Sequence, residues 1–362
     1  MANQNLGDAK RAKNDEFYTQ YHDIENEMRA YLEYDENIFR GKTILLPCDD
    51  PEWSNFTKYF AQNFERFGLK KLISTSYAPN SKPKELNLQP TLFEIESPQF
   101  DESKTASNGK IFTLARDTTG DNVINVDDLE WDYLEGDGDF RSEEITKLRD
   151  EADIIITNPP FSLFREFLAW VREANVDFVM IGNMNAITYK EVFPLMRDDE
   201  LWLGNGFTAG NAYFASPATR DYADGVFDEQ TGLVKFRNVV WFTNIDHGKR
   251  HQPLPLLSEA DNIRFSKHKE IKGIGYQAYD NYDAIEVPFT DAIPSDHEGV
   301  MGVPISFLHK HSPQQFELLG MSGNGLMPDS LLVDGQEKYD RPYLNGQRMY
   351  VRLFIRHRRA SK

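Results

Sequence analysis

The sequence predicts an α/β protein built on a parallel sheet, and three stretches carry that prediction. Ile154, Ile155 and Ile156 form a continuous β-branched run, the pattern of a strand covered on both faces. Asn158, Pro159 and Pro160 stop that run, because proline cannot donate to a ladder and pushes the preceding residue towards extended geometry. Phe164, Phe167, Leu168 and Val171 then recur at helical spacing. Upstream, Thr43 to Pro47 reads as a strand, the following segment as an amphipathic helix, and Lys71 to Ser76 as a second strand. Together these make a βαβ unit. In open α/β sheets, ligands bind at the carboxyl ends of the strands, which draws attention to Asp153–Phe161.

The other elements follow in order. Ala12 to Glu33 contains a polar lead-in, Asp15-Glu16-Phe17-Tyr18-Thr19, and then a helix. Asp50 before Pro51 suits a helix start, an acceptor at the N-cap followed by proline at N1. The helix should bury a stripe of Trp53, Phe56, Phe60, Phe64 and Phe67. From Ala78 to Asp128 the prolines and polar residues suggest an irregular insertion, with a strand at Lys110 to Ala115. Asp177 to Ile181 is a strand ending at Gly182, Thr188 to Met196 a helix, and Leu201 to Leu203 a short strand. An α/β core over 1–205 is therefore expected, with the insertion at about 78–128. A second region follows over 206–345, with short strands at Asn238 to Thr243 and Ile285 to Phe289. The segment 346–362 alternates, Val351, Leu353 and Ile355 against Arg348, Tyr350, Arg352, Phe354, Arg356 and Arg358. Two readings stand for it: an edge strand defended by charge, or a strand that returns to the core and contacts phosphate.

Composition narrows the class. The chain has 362 residues, 40% of them hydrophobic, and no apolar run of the roughly 18 residues a membrane span needs. The N-terminus shows no secretory signal, and the single cysteine, Cys48, excludes an intrachain disulfide; both fit the cytoplasm. A formal charge of −18 argues against indiscriminate nucleic-acid binding. That charge is segregated, because Arg341 to Lys362 holds seven basic residues and no acid.

Asp153-Ile-Ile-Ile-Thr-Asn-Pro-Pro-Phe161 resembles the catalytic motif of amino-methyltransferases. Six further segments, in order, resemble one family, the EcoRI-type adenine-specific DNA methyltransferases. These are Asp15 to Thr19, Leu45 to Phe56, Gly138 to Ser142, Gly182 to Glu191, Gly299 to Leu308 and Tyr350 to Arg356. With Asn158 to Phe161 they span most of the chain, and the ordered set is far more specific than any member. The resemblance implies a Rossmann-like methyltransferase core that uses S-adenosyl-L-methionine, and a C-terminal recognition region. It also implies double-stranded DNA as partner; a cognate restriction endonuclease is a further candidate.

By that resemblance, Asn158, Pro159, Pro160 and Phe161 are the catalytic set. The cofactor would meet Pro47, Cys48, Asp49 and Asp50 after the first strand, where the usual glycines are missing. Asp49 or Asp50 would meet its ammonium group, with simple N-capping of the helix as the competing reading for one of the pair. Asp139, with Asp137 as competitor, would accept from the cofactor's adenine amine, and Phe140 would pack its ring. Phe17, Tyr18 and Thr19 would cover the cofactor, with Asn158 bordering it. Ser74, Thr75 and Ser76 stand where a ribose-binding acid is usual.

The expected chemistry needs little acid–base machinery. Adenine N6 is a poor nucleophile because its lone pair is delocalised into the ring. Acceptors at Asn158 Oδ1 and the Pro159 carbonyl would favour a pyramidal nitrogen and stabilise its developing positive charge. Phe161 would stack on a base flipped out of the duplex. A related tetrad serves enzymes acting on RNA or on a protein glutamine amide, and a silent DNA-binding decoy is the non-enzymatic alternative. Asp117 to Asp128 echoes a calcium loop but lacks glycine at its sixth position and ends in Asp128, so it reads as an acidic turn. His309, His311, His247 and His251 lack companion ligands, and no metal site is expected. Lys249, Arg250, Lys267, Lys269 and Lys272 are candidate phosphate contacts.

Overall fold

The computed structural model describes residues 17–49, 54–78, 95, 97–207, 211–215, 225–338 and 340–358. It divides into two compact units, one of 1–184 with 204–246, the other of 185–203 with 247–362.

In the first unit a short strand β1 (Tyr18–Thr19) leads into helix α1 (Tyr21–Tyr34). Then come β2 (Thr43–Leu46), α2 (Asn55–Gln62), α3 (Phe64–Phe67) and β3 (Lys71–Ser76). Next are β4 (Lys110–Leu114), β5 (Glu130–Tyr133), α4 (Glu143–Glu151), β6 (Ile154–Thr157), α5 (Phe164–Glu173) and β7 (Asp177–Asn183). β3, β2, β6 and β7 run parallel, in that order. β4 joins β3 antiparallel, and β5 joins β4. The polar and proline-rich part of the expected insertion, 79–94, lies outside the described residues.

All four residues of β2 and all four of β6 are buried, as a doubly covered strand requires. One face carries Ile44, Leu46, Ile154 and Ile156 against Ile24, Met28 and Tyr31 of α1 and Phe56 and Phe60 of α2. On the other face, Phe164 of α5 packs against Phe242, ring centroids 5.0 Å apart. The predicted stripe is core at Phe56, Phe60, Phe64 and Phe67; Trp53 falls outside the described residues. The described helix starts later than Asp50, at Asn55, where Ser54 Oγ accepts from the Phe56 amide at 3.1 Å.

The units do not follow one boundary near Gly204. The second unit takes α6 (Phe193–Arg197) and β8 (Trp202–Leu203), and the chain then returns to the first. There β9 (Asn211–Ala215), β10 (Phe227–Asp228) and β11 (Leu233–Arg237) form a small antiparallel sheet with β1. β12 (Val239–Thr243), buried throughout, pairs antiparallel with β7. The physical reason for the return is that β7 has an open edge that this apolar strand closes.

The second unit continues with α7 (Glu259–Phe265), β13 (Ile285–Glu286), β14 (Met301–Val303), β15 (Phe316–Met321), β16 (Tyr343–Leu344), β17 (Gln347–Arg348) and β18 (Leu353–His357). The terminal strand β18 lies between β14 and β15, so its ladder is in this unit. Its two-faced pattern also fails. Leu353, Phe354 and Ile355 are all buried, Phe354 against Tyr279 and Tyr282. Arg352 is buried too, with Nη2 2.7 Å from Glu286 Oε1, so it is an internal ion pair and not a phosphate contact.

His311 gives this unit a pH dependence. Its ring N–H donates to the Phe316 carbonyl at 3.3 Å, and burial pushes its pKa from 6.5 down to about 4. Asp199 opposes that shift, while Arg250 and Arg358 add to it. A group depressed on folding contributes fully above its unfolded value and loses its contribution as pH falls towards the folded one. Urea unfolding should therefore show a decline in stability between pH 6.5 and about 4, to which His311 contributes at most about 2 kcal/mol by pH 5. His311→Gln should remove that share and leave the part owed to His309, whose pKa burial also lowers.

Candidate functional site

The carboxyl ends of β2, β3 and β6 meet in the first unit. Thr157 Oγ1 at the end of β6 donates to the Pro47 carbonyl at the end of β2. The Asp49 amide donates to the Thr75 carbonyl of β3 at 2.8 Å, and Ser74 Oγ donates to the Asp49 carbonyl at 2.6 Å. Pro47, Cys48 and Asp49 are thus held at the ends of β3 and β6, and Asn158 directly follows the Thr157 that bonds Pro47. Asp50 lies outside the described residues.

Cys48 explains the missing glycines. Its φ is +63°, the left-handed region that a glycine-rich turn would use. The backbone makes the turn without the residue type that advertises it. Cys48→Gly is therefore expected to fold and keep its melting temperature within a few degrees, whereas β-branched Cys48→Val should lower it; differential scanning calorimetry on both checks this.

Asp49 is 5% exposed and engaged in the protein. It accepts from the hydroxyl of the helix-capping Ser54 and from Thr57 Oγ1, the latter at 3.1 Å. Asp49 is thereby tied to the helix start.

The turn at Asp137–Phe140 docks on the end of β3. The Ala78 amide donates to the Asp137 carbonyl at 2.8 Å. Gly138 has φ +86°, and a Cβ there would collide with the Ser76 carbonyl, so only glycine permits this approach. Asp139 accepts from Arg141 Nε at 2.9 Å and Nη2 at 2.6 Å, and from the Arg141 amide at 2.9 Å. Burial pulls the Asp139 carboxyl upward, but bonds from Arg141 and the Tyr77 hydroxyl outweigh it and hold it below the usual range. Burial, with Cys48 and Asp139 nearby, pushes the Tyr77 phenol well up, so it remains a donor. Sequence reading missed Tyr77 and Arg141; the available signal was a hydroxylated aromatic directly after β3, beside the place where an acid was expected. Phe140 is fully buried, 5.0 Å from Phe167 and 5.5 Å from Trp170 between ring centroids, so the packing of α5 already accounts for it.

The N-terminal strap closes over this end of the sheet. β1 pairs with β9, Tyr18 with Ala215 and Thr19 with Phe214. Asn55 Nδ2 donates to the Thr19 carbonyl at 2.7 Å, and Asn158 Nδ2 donates to the Phe17 carbonyl at 2.6 Å. Phe17 is 4.6 Å from Phe236 and 6.4 Å from Phe161 between centroids, and Phe161 is 6.5 Å from Phe214. Phe161 therefore belongs to an aromatic group assembled from four chain segments, of which the sequence pointed to only two.

The tetrad itself leaves one polar atom over. Asn158 Oδ1 is buried and has no hydrogen-bond partner, as is true of Thr19 Oγ1 on the strap and Thr75 Oγ1 on β3. Phe17 supplies a carbonyl, which only accepts, so the Asn158 amide must turn its NH2 there and its oxygen away. Pro159 is buried, and Pro160 accepts from the Leu163 amide at 2.9 Å. A buried acceptor without a donor costs about 1–3 kcal/mol, a cost that a bound amine would remove.

An amide with its donor end occupied and its acceptor end free thus stands at the carboxyl terminus of a parallel strand, where open α/β sheets bind ligands. Residues 5–358 match the family described as adenine-specific methyltransferase EcoRI, and the chain belongs to that family. It is 39% identical over 350 residues to the Type II methyltransferase M.EcoRI of Escherichia coli, covering 96% of this chain and 98% of that one. It is 31% identical over 358 residues to the Type II methyltransferase M.MpnI of Mycoplasma pneumoniae, covering 97% of each. The Type II methyltransferase M.MgeORF184P of Mycoplasma genitalium is also 31% identical, over 361 residues. No solved structure gives a significant match.

Among the described residues no cluster of His, Cys, Asp or Glu is arranged to hold a metal ion. Asp117 accepts from the Gly120 and Asn122 amides at 2.6 and 2.8 Å, and Asp128 accepts from Asn125, Thr118 and Thr119 amides. These carboxylates brace their own loop. Arg250, a candidate phosphate contact, is instead buried, paired with Asp199 and 3.8 Å from the Trp202 ring centroid.

Proposed function

We propose that the protein transfers a methyl group from S-adenosyl-L-methionine to N6 of adenine within a short sequence of duplex DNA, acting on a base flipped out of the helix. The observation that carries this reading is the unpartnered, buried Asn158 Oδ1, oriented by the Phe17 carbonyl. That oxygen and the Pro159 carbonyl would accept the two N–H groups of the amine and stabilise positive charge on nitrogen. The aromatic group of Phe17, Phe161, Phe214 and Phe236 supports stacking of an extruded base, which recovers part of the few kcal/mol of unstacking.

The residues at the strand ends fit a cofactor that carries an ammonium, a ribose and an adenine. Cys48 makes the turn, Thr75 and Thr19 offer unpartnered hydroxyls, and Asp139 would share its carboxylate with Arg141. The bound cofactor would supply an electrophilic methyl on sulfonium. Phe17, Tyr18 and Thr19 would cover it and exclude water. Residues up to Met184 would supply most of this core, with β9 to β12 contributing its cover and edge. The second unit is the candidate recognition region.

The test is labelled-methyl transfer from the cofactor to mixed-sequence duplex DNA, with RNA and a glutamine-containing peptide as competitors. Label should appear on duplex DNA as N6-methyladenine. Transfer confined to RNA or peptide, or no transfer at all, overturns the reading.

A further inference from the structure

The second unit carries a ridge whose chemistry differs from the rest of an acidic chain. Between Arg264 and Gly275 there are four basic residues, Arg264, Lys267, Lys269 and Lys272, against one acid, Glu270, in a protein of net charge −18. Two large apolar side chains stand exposed among them, Phe265 at 60% and Ile274 at 63%. Such side chains are costly to leave in water, about 1.5–3 kcal/mol each if burial is withheld.

The ridge is folded onto a firm base. After α7 the chain turns back, with the Gly273 amide donating to the Ile263 carbonyl at 2.8 Å and the Lys272 amide to the His268 carbonyl at 2.9 Å. Ile271 is 1% exposed and anchors the turn from below. His268 stacks on Phe289, centroids 3.7 Å apart, and its Nε2 lies 2.8 Å from Asp291 Oδ1. Lys267 is held by the same aspartate at 2.8 Å. Arg264, Lys269 and Lys272 have no ion pair among the described residues. Arg264 instead lies over the Phe265 ring, 4.9 Å from its centroid. The turn thus presents free cations and two apolar tips on a scaffold that need not be ordered on binding.

We propose that this ridge is a DNA-insertion element. Phe265 and Ile274 enter an unstacked base step of the duplex, while Arg264, Lys269 and Lys272 hold the flanking phosphates. The proposal rests on duplex DNA being the substrate. Apolar wedges flanked by cations are how proteins prise steps apart, and the few kcal/mol of unstacking are offset by the contacts that follow. Charge complementarity favours this occupant, because a rim of unpaired cations in an otherwise acidic protein attracts a polyanion, whereas two such ridges facing one another in a symmetric pair of chains would repel.

The experiment uses the full chain and a plasmid that it methylates. A nicked form is sealed by ligase with and without saturating protein, and the linking number is read on a gel. Wild type should leave a linking-number deficit, since an inserted wedge unwinds the duplex. Phe265→Ala/Ile274→Ala should bind with the same salt slope yet lose at least about half of that deficit. Lys269→Ala/Lys272→Ala, equally exposed and so expected to fold, should lower the slope of log affinity against log salt by about 0.9 for each phosphate no longer neutralised. Binding by wild type with no deficit, or a full deficit in the Phe265/Ile274 variant, overturns the insertion. Self-association of wild type that the Phe265/Ile274 variant abolishes also overturns it, assigning the ridge to a protein interface. Wild type that methylates RNA and ignores duplex DNA would instead remove the substrate assignment beneath it.

Discussion

Asn158→Ala should lower kcat for methyl transfer by about 100- to 1000-fold, the cost of deleting one preorganised electrostatic contact at a reacting centre. Cofactor affinity should change by less than about threefold, because the contact assigned to this residue forms only as charge develops on the amine. Asn158→Asp separates this reading from a simple need for an acceptor. Its first oxygen could still accept from the amine. Its second would face the Phe17 carbonyl, where Asn158 Nδ2 now donates at 2.6 Å, and two acceptors would meet. The aspartate variant should therefore lose most of its activity as well, and its strap should become more open to proteolysis after Phe17. Single-turnover kinetics and limited proteolysis measure the two effects. An aspartate variant with wild-type kcat would show that the amide's orientation is irrelevant.

Much of the first unit was legible because its signals are local. The run Ile154–Ile156 and the strand Lys71–Ser76 are contiguous apolar or β-branched stretches, and both fall where the sequence placed them. The stripe of Phe56, Phe60, Phe64 and Phe67 is equally local, although a break at Asn63 divides its helix in two. What could not be read depends on partners far along the chain. β12 closes the edge of β7 from about sixty residues away. The aromatic neighbours of Phe161 arrive on β9 and β11. At the cofactor end, the turn at Cys48 depends on a backbone angle, and the chain meets it with a residue that rarely signals it. That is why absent glycines were a poor guide to an absent turn.

Arg352 shows the same dependence on distant partners most sharply, and it leads to the second large effect. In sequence it belongs to a basic row; in the structure it is 8% exposed and forks onto Glu286, 6% exposed, through Nε at 3.1 Å and Nη2 at 2.7 Å. Tyr279 donates its hydroxyl to the same carboxylate, and burial, then the Glu286 charge, push that phenol well up, so it remains a donor. Glu286→Ala strands a guanidinium among buried groups and should cost about 3–5 kcal/mol of stability, as breaking one side of a buried pair does. Arg352→Met, which strands the carboxylate, should cost a comparable amount. Glu286→Leu/Arg352→Met removes both charges at similar volume and should recover most of the loss, since the desolvation cost of both ions disappears with them. Urea denaturation of the three variants tests the coupling. The salt dependence of DNA binding tests the location, because a buried arginine releases no counterion and its removal should leave the slope unchanged, whereas a phosphate contact would lower it by about 0.9. A lowered slope with unaltered stability would return Arg352 to the surface row that the sequence suggested.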